Sequence, residues 1–411
     1  MTAAPPEALG APRRGATFLV AVAAALLAAM TATFPRDLPF RLDDYVLLPR
    51  TGMLLGVEPW RELPDETSWR TGGVCAEGRG ADLIRPFFRP AAWAAWHGVR
   101  AATAEPLAPE PFRAVSIAAH AFAAGLLAIL LRRGFGLGAG AALFGAALFA
   151  IHPAGRQAYT WISALPDVLM VVGALSAALA GAVAKQSPRP GRAFAVVAGA
   201  AFFGAASKEG FLVLLPFLGW AAAAAPGRAS ARFVLQWILA LAAGVGGVWL
   251  WRRVALGDAG VKHFVDLSPA PATALRAGLD AAWQALVPLN QSPFLRSGAS
   301  ETEALAAGGR AAAGLIVAGA IALAFPKLRD LPRYLGSLAA AAIALVATLL
   351  PAAILTAEWP ASARATAGLS RSFYATGAVL AVALAVALGS EAVAACRTRR
   401  SLARLTGVVA A

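Results

Sequence analysis

Charge is scarce in this chain. Of its 411 residues only 14% are Asp, Glu, Lys or Arg, against about 25% in ordinary soluble domains. That scarcity excludes a conventional water-soluble domain. Cysteine is nearly missing, with only Cys75 and Cys396, which excludes a disulfide framework. Histidine occurs four times, with no second His or Cys at a zinc-binding spacing. No P-loop, Rossmann glycine fingerprint, HExxH or GxSxG is visible, so nucleotide hydrolysis, hydride transfer and zinc proteolysis gain no support. No tandem repeat and no extended low-complexity tail stand out. Lysine is rare as well, four residues beside 32 arginines, a bias that fits a GC-rich genome and carries no function by itself.

What fills the chain is apolar: 59% of its residues are hydrophobic. Runs of membrane-spanning length recur from end to end, which indicates an all-α, polytopic helical membrane protein built as a single integral domain over residues 1–411. Spans are expected near 16–34, 112–131, 135–151, 165–184, 193–206, 210–225, 233–251, 311–325, 335–356 and 372–390, about ten in all. The first follows Arg13 and Arg14, as in a signal peptide, but Phe34-Pro35-Arg36 is a poor cleavage site, so an uncleaved first helix is expected. The stretch 193–225 is ambiguous. As one helix it would be about 50 Å long, against a hydrocarbon core of ~30 Å. As a hairpin it turns at Ser207-Lys208-Glu209-Gly210. The hairpin leaves 16 basic residues on the inner segments beside only Glu7, Asp330 and Glu391. That asymmetry obeys the positive-inside rule and puts both termini on the cytoplasmic side of the cell (inner) membrane. The net charge of +14 is then largely topology, and no basic-aromatic module points to nucleic acid.

Two long segments, 35–111 and 252–310, fall on the outer side. Both are rich in Pro, Trp and charge, and stretches such as Pro59-Trp60 and Trp93-Ala-Ala-Trp96 are expected as interfacial helices or lids with tryptophans at headgroup depth.

Five stretches concentrate chemistry, and each has a bland reading beside a functional one. Asp43-Asp44-Tyr45 is either a solvated pair partnering Arg36 and Arg41, or a general base at the membrane edge. Neighbouring carboxylates raise one another's pKa, and a base needs hydrogen-bond reach to the hydroxyl it deprotonates. A divalent metal site is a further reading, which two carboxylates alone under-fill, and no cofactor is required. Ile84-Arg85-Pro86-Phe87-Phe88-Arg89-Pro90 is either a headgroup anchor or a phosphate clamp, since Arg suits bidentate phosphate contact. In the segment from His152 through Arg156 and Gln157 to Asp167, the His is a cap or ligand, and Asp167 either caps a helix or serves the site. Lys208-Glu209 is expensive in an apolar hairpin unless paired or hydrated, so it marks either a structural ion pair or a functional cavity. Arg371 and Tyr374 are spaced to share one helical face at i, i+3 and either anchor the last long span or meet a lipid phosphate.

Taken in order, DDY, IRPFFRPAAW, PFRAVSIAAHAFAAGLLAILLRR, FAIHPAGRQAYTWISALPDVL, ASKEGFLVLLP and LSRSFYATGAVLAVAL together resemble the GT-C superfamily of membrane glycosyltransferases. The likeness is to its protein O-mannosyltransferase-like branch, including the membrane half of tetratricopeptide-repeat O-mannosyltransferases. It runs from about residue 36 to residue 390. The resemblance implies inverting transfer of a sugar from a polyprenyl-phosphate donor to a hydroxyl of a protein, lipid or glycan acceptor on the extracytoplasmic face. It assigns the base to Asp43 or Asp44. Arg85, Arg89, Lys208 and Arg371 would face the lipid phosphate, with His152, Arg156, Asp167, Glu209 and Tyr374 in support. The chain departs from the family's pattern at Gln157, Leu165 and Ser370, where relatives commonly carry charge, and it lacks the tetratricopeptide array. Two alternatives follow: a non-catalytic relative that binds lipid-linked sugars, and a transporter, which would show inverted internal repeats that are not visible.

Overall fold

The computed structural model describes residues 14–32, 89–103, 108–152, 156–227, 229–256, 336–337, 339–348 and 374–389. Among these every regular element is a helix and none is a strand. In chain order they are α1 (Arg14–Ala32), α2 (Pro90–Ala102), α3 (Pro109–Ile129), α4 (Ala139–Ile151), the short α5 (Arg156–Thr160), α6 (Leu165–Gln186), α7 (Gly191–Ser207), α8 (Leu215–Ala224), α9 (Ala231–Leu256), α10 (Ala339–Thr348) and α11 (Tyr374–Gly389). A π-helical turn, Leu130–Gly134, extends α3, and a 3₁₀ stretch, Glu209–Leu214, leads into α8. Four helices, Gly15–Ala32, Pro109–Gly134, Ile162–Gln186 and Ala231–Val254, are long and apolar enough to cross a membrane. The described part is that of an all-α membrane protein.

Proline sets several starts. Helices α2, α3, α6 and α8 each carry Pro at the first or second position, where the missing N–H would have had no intrahelical partner. Gly136 and Gly227 turn the chain after α3 and α8 with φ of 68° and 105°, angles that a side chain would strain.

Helix α6 is the centre of the bundle. It is the most buried of the four long apolar helices, whereas α9 is the least buried and shows lipid-compatible side chains such as Leu235, Ile238, Leu239 and Leu250. On one side of α6 lies α3, backed by α1 and α4, with α11 against α4; on the other lies α7, backed by α9.

The ambiguous stretch is a hairpin. Helix α7 ends at Ser207, Lys208 is extended (φ −158°, ψ 137°), and the chain reverses. Both ends of the return are pinned to α6. Lys208 Nζ meets Asp167 Oδ1 in the first turn of α6. At the far end Lys185 Nζ donates to the carbonyls of Ala222, Ala223 and Ala225 at 3.1, 3.0 and 2.6 Å, satisfying acceptors that the end of α8 leaves open. From Asp167 to Lys185 a helix rises about 27 Å, so the return leg crosses nearly the depth of a hydrocarbon core.

Small residues allow the close approach. A Cβ on Gly173 would meet Gly204 Cα at 2.6 Å, one on Gly204 would meet the Phe211 ring at 2.4 Å, and one on Gly244 would meet Ala198 O at 2.4 Å. This is how helices associate where lipid is as apolar as the side chains: through packing of backbones, which small residues permit.

The tryptophan expectation is corrected in part. Trp96 is turned into the protein and not toward lipid headgroups. It is 1% exposed and packs with Ala92, Phe112, Ile162, Leu165 and Leu169, holding α2 onto the bundle. Trp93 lies at the margin of the same cluster. Residues 35–88, 257–310 and the expected span 311–325 lie outside the described residues.

Gly204→Leu should lower the melting temperature in detergent, corresponding to about 1–3 kcal/mol of overpacking. Gly199→Ala, with nothing within 4 Å of a Cβ there, should leave it unchanged. Equal melting of both variants would contradict the close contact at Gly204.

Candidate functional site

Three sequence-distant segments bring their charges to one end of the bundle. Arg89, just before α2, donates from Nη2 to Glu209 Oε1 at 2.9 Å and from Nε to Oε2 at 3.3 Å. Lys208 donates to Asp167 at 2.5 Å. The pairs are partly buried, with side-chain exposures of 13% and 27% for Arg89 and Glu209, and 22% and 6% for Lys208 and Asp167. They act on each other: the charge of Asp167 reaches Arg89, and that of Lys208 reaches Glu209. Arg252, near the end of α9, adds a fifth charge that acts on both Glu209 and Arg89.

Burial works to raise the Glu209 carboxyl. The Arg89 charge and hydrogen bond, helped by Lys208, outweigh it and hold the group down at about 2. For Arg89, burial favours loss of charge, and Glu209 more than restores it. His152, directly after α4, is buried, and that burial lowers its pKa below the usual imidazole range.

The ion pairs bear on the two-way readings of the sequence. Asp167 lies in the first turn of α6 but makes no capping bond there; the cap position is Ala164, and the carboxylate turns to Lys208. Lys208 and Glu209 do form structural ion pairs, though with two different partners and not with each other. Arg89 and Lys208, which the resemblance assigns to a lipid phosphate, have carboxylates as their partners here.

Tyr374 opens α11 inside the core, 1% exposed, and its hydroxyl lies 2.7 Å from His120 Nδ1. His120 Nε2 is 3.2 Å from the carbonyl of Ala150 near the end of α4. A carbonyl only accepts, so Nε2 carries the proton, and in the neutral ring Nδ1 accepts from Tyr374. Thr31 of α1 donates to the same carbonyl at 3.3 Å. The His120 ring stacks on Tyr159 (4.4 Å, 25°) and tilts against Phe149 (5.3 Å).

Asp43, Asp44, Arg85 and Arg371 lie outside the described residues. Arg156 lies in α5, and nothing is described of its side chain. His120 was not among the candidates, nor were Arg113 and Ser116. All three are buried, and their i, i+3, i+7 spacing puts them on one face of α3. That spacing of polar residues within an apolar span is the signal that marks them. Among the described residues no group of three or more His, Cys, Asp or Glu is placed to hold a metal ion.

No protein-family model, no curated protein and no solved structure matches this chain.

The Arg89–Glu209 pair should show a coupling of about 1–3 kcal/mol in a double-mutant cycle of Arg89→Ala and Glu209→Gln, read by unfolding in detergent. Because the folded carboxyl is depressed from 4.5 to about 2, its contribution is complete above the ordinary value and is lost as pH falls toward the folded one. The stability gap between wild type and Glu209→Gln should therefore stay constant above pH ~5 and shrink between about 4.5 and 2. A gap that does not change across that window would refute the ion pair.

Proposed function

We propose that the chain is a membrane glycosyltransferase of GT-C-like fold, with about ten spans. It moves a sugar from a polyprenyl-phosphate donor to a hydroxyl acceptor on the extracytoplasmic face of the cell membrane. The observation that carries this reading is the meeting of three of the ordered motifs: Arg89 of IRPFFRPAAW, Asp167 of FAIHPAGRQAYTWISALPDVL and Lys208-Glu209 of ASKEGFLVLLP. The charges of the bundle support its orientation. The end away from the ion pairs carries Arg132, Arg133, Lys185, Arg189 and Arg192 and, among the described residues, no carboxylate. Arginine and lysine on such short connections favour the cytoplasmic side, which supports an outward-facing ion-paired end.

The chemistry is a single displacement. Asp43 or Asp44 takes the proton of the acceptor hydroxyl. The acceptor oxygen attacks the anomeric carbon from the face opposite the phosphate, and the carbon–oxygen bond to phosphate breaks. The lipid phosphate departs with the electron pair, and nearby cations offset its charge, each well-placed donor contributing a few kcal/mol. No enzyme nucleophile takes part.

One observation favours a second reading, a protein that binds lipid-linked sugars without turnover: Arg89 and Lys208 are both already neutralised by carboxylates, and charge is missing at Gln157, Leu165 and Ser370.

Membranes containing the chain should transfer radiolabelled hexose from a panel of polyprenyl-phosphate hexoses to endogenous acceptors. Asp43→Asn or Asp44→Asn should lower transfer by about 10²-fold or more. Full activity in both variants would sink the base assignment, and donor binding without transfer by wild type would favour the second reading.

A further inference from the structure

We infer that His120 is the positioning residue of the proposed site, a buried hub that sets two of the site's segments against each other. The inference rests on the reading above for the reaction it serves. Helix α4 ends one residue past Ala150, and Tyr374, the first described residue of α11, lies with it at the level of His120, while α3 continues for a further eleven residues to Pro109, about 16 Å of helix. His120 therefore lies where the bundle's interior steps from closely packed apolar helices to a more polar outer half. That half contains Arg113, Ser116, Tyr159, Thr160, Ser163 and Asp167, all buried.

From that level the imidazole reaches in three directions. Nδ1 holds the Tyr374 hydroxyl at 2.7 Å and so fixes the first turn of α11, the helix that follows Arg371 in sequence. Nε2 holds the Ala150 carbonyl at 3.2 Å, tying in the end of α4. The ring face stacks on Tyr159, whose segment runs directly into Asp167 and its ion pair with Lys208. One side chain thus ties together α4, α11 and the segment leading to Asp167. Phenylalanine or leucine would fill the space without fixing the two directions. Only a ring that donates at one edge, accepts at the other and stacks on its face meets all three partners.

The test uses the full chain in detergent and in membranes. Tyr374→Phe and His120→Phe each keep an aromatic ring and remove the Tyr374–His120 hydrogen bond, and His120→Phe also removes the one to Ala150. Each should raise amide exchange at the start of α11 about tenfold, and the double variant should do no more than the worse single. His120→Ala should also loosen residues 156–160, while α7 and α9 keep wild-type exchange. For the polyprenyl-phosphate hexose that wild type turns over, kcat of both Phe variants should fall about tenfold with KM unchanged. His120→Asn, which restores an acceptor near Nδ1, should recover part of the loss. An additive double variant, or exchange raised throughout the bundle, overturns the hub. Local exchange raised with kcat unchanged overturns its role in the reaction. Local exchange raised in a chain whose wild type transfers no hexose upholds the hub and sinks the transferase reading instead.

Discussion

A charge at the end of an apolar hairpin has to be answered by another charge, and much of this bundle follows from how Lys208 and Glu209 are answered. Had the two adjacent residues paired with each other, the turn would be self-contained and would fix nothing beyond itself. Instead Lys208 turns to Asp167 and Glu209 to Arg89, so one turn is bound to the first turn of α6 and to the entry of α2. The net stabilisation from such pairs is modest, because desolvation cancels much of the attraction. Their effect on geometry is larger, since breaking either leaves a poorly solvated ion at the membrane edge. With Lys185 capping the other end of α8, the register of the return leg against α6 is set at both ends, and the apolar surfaces between need only fit.

That fit is made of small side chains. A composition rich in Ala and Gly reads in isolation as genomic bias. In the fold it places Gly173 on Gly204, the Phe211 ring over Gly204, and Gly244 on the backbone at Ala198. Lipid offers no hydrophobic penalty to drive these helices together, so contact area and backbone proximity do the work. The two constraints reinforce one another. The ion pairs choose the register, and that register brings the glycines into line.

The spans were legible because their signal is long and one-dimensional. The expected 165–184, 193–206 and 210–225 correspond to Leu165–Gln186, Gly191–Ser207 and Glu209–Ala224, and the hairpin followed from length and charge counting. Partners were not legible. Nothing in the sequence ties Arg89 to a carboxylate 120 positions away, so Arg89 reads as a headgroup anchor or a phosphate clamp, and Lys208-Glu209 as an ion pair or a cavity, their outside partners unseen. Trp96 misled for a related reason. Tryptophan in a Pro-rich flank suits a membrane interface, and only the fold brings Phe112 and Ile162 to cover it. His120 was overlooked although its spacing from Arg113 and Ser116 was visible. A polar residue was weighed in the loops and less so within a span, where its cost makes it more informative.

Charge balance in the ion-paired cluster limits what the proposed site can do with an anion. Among the described residues the two cations and two carboxylates of the ion pairs cancel, and Arg252 lies close enough to feel Glu209 and Arg89. A lipid phosphate entering between the pairs must displace Glu209 or Asp167, and the freed carboxylate then needs water or another cation. Once freed from Arg89, the Glu209 carboxyl loses the charge and hydrogen bond that hold it down, and burial then works to raise it. Asp167 and Glu209 are thus engaged in holding cations in place, and the proposed reaction gives the proton-accepting part to Asp43 or Asp44 instead.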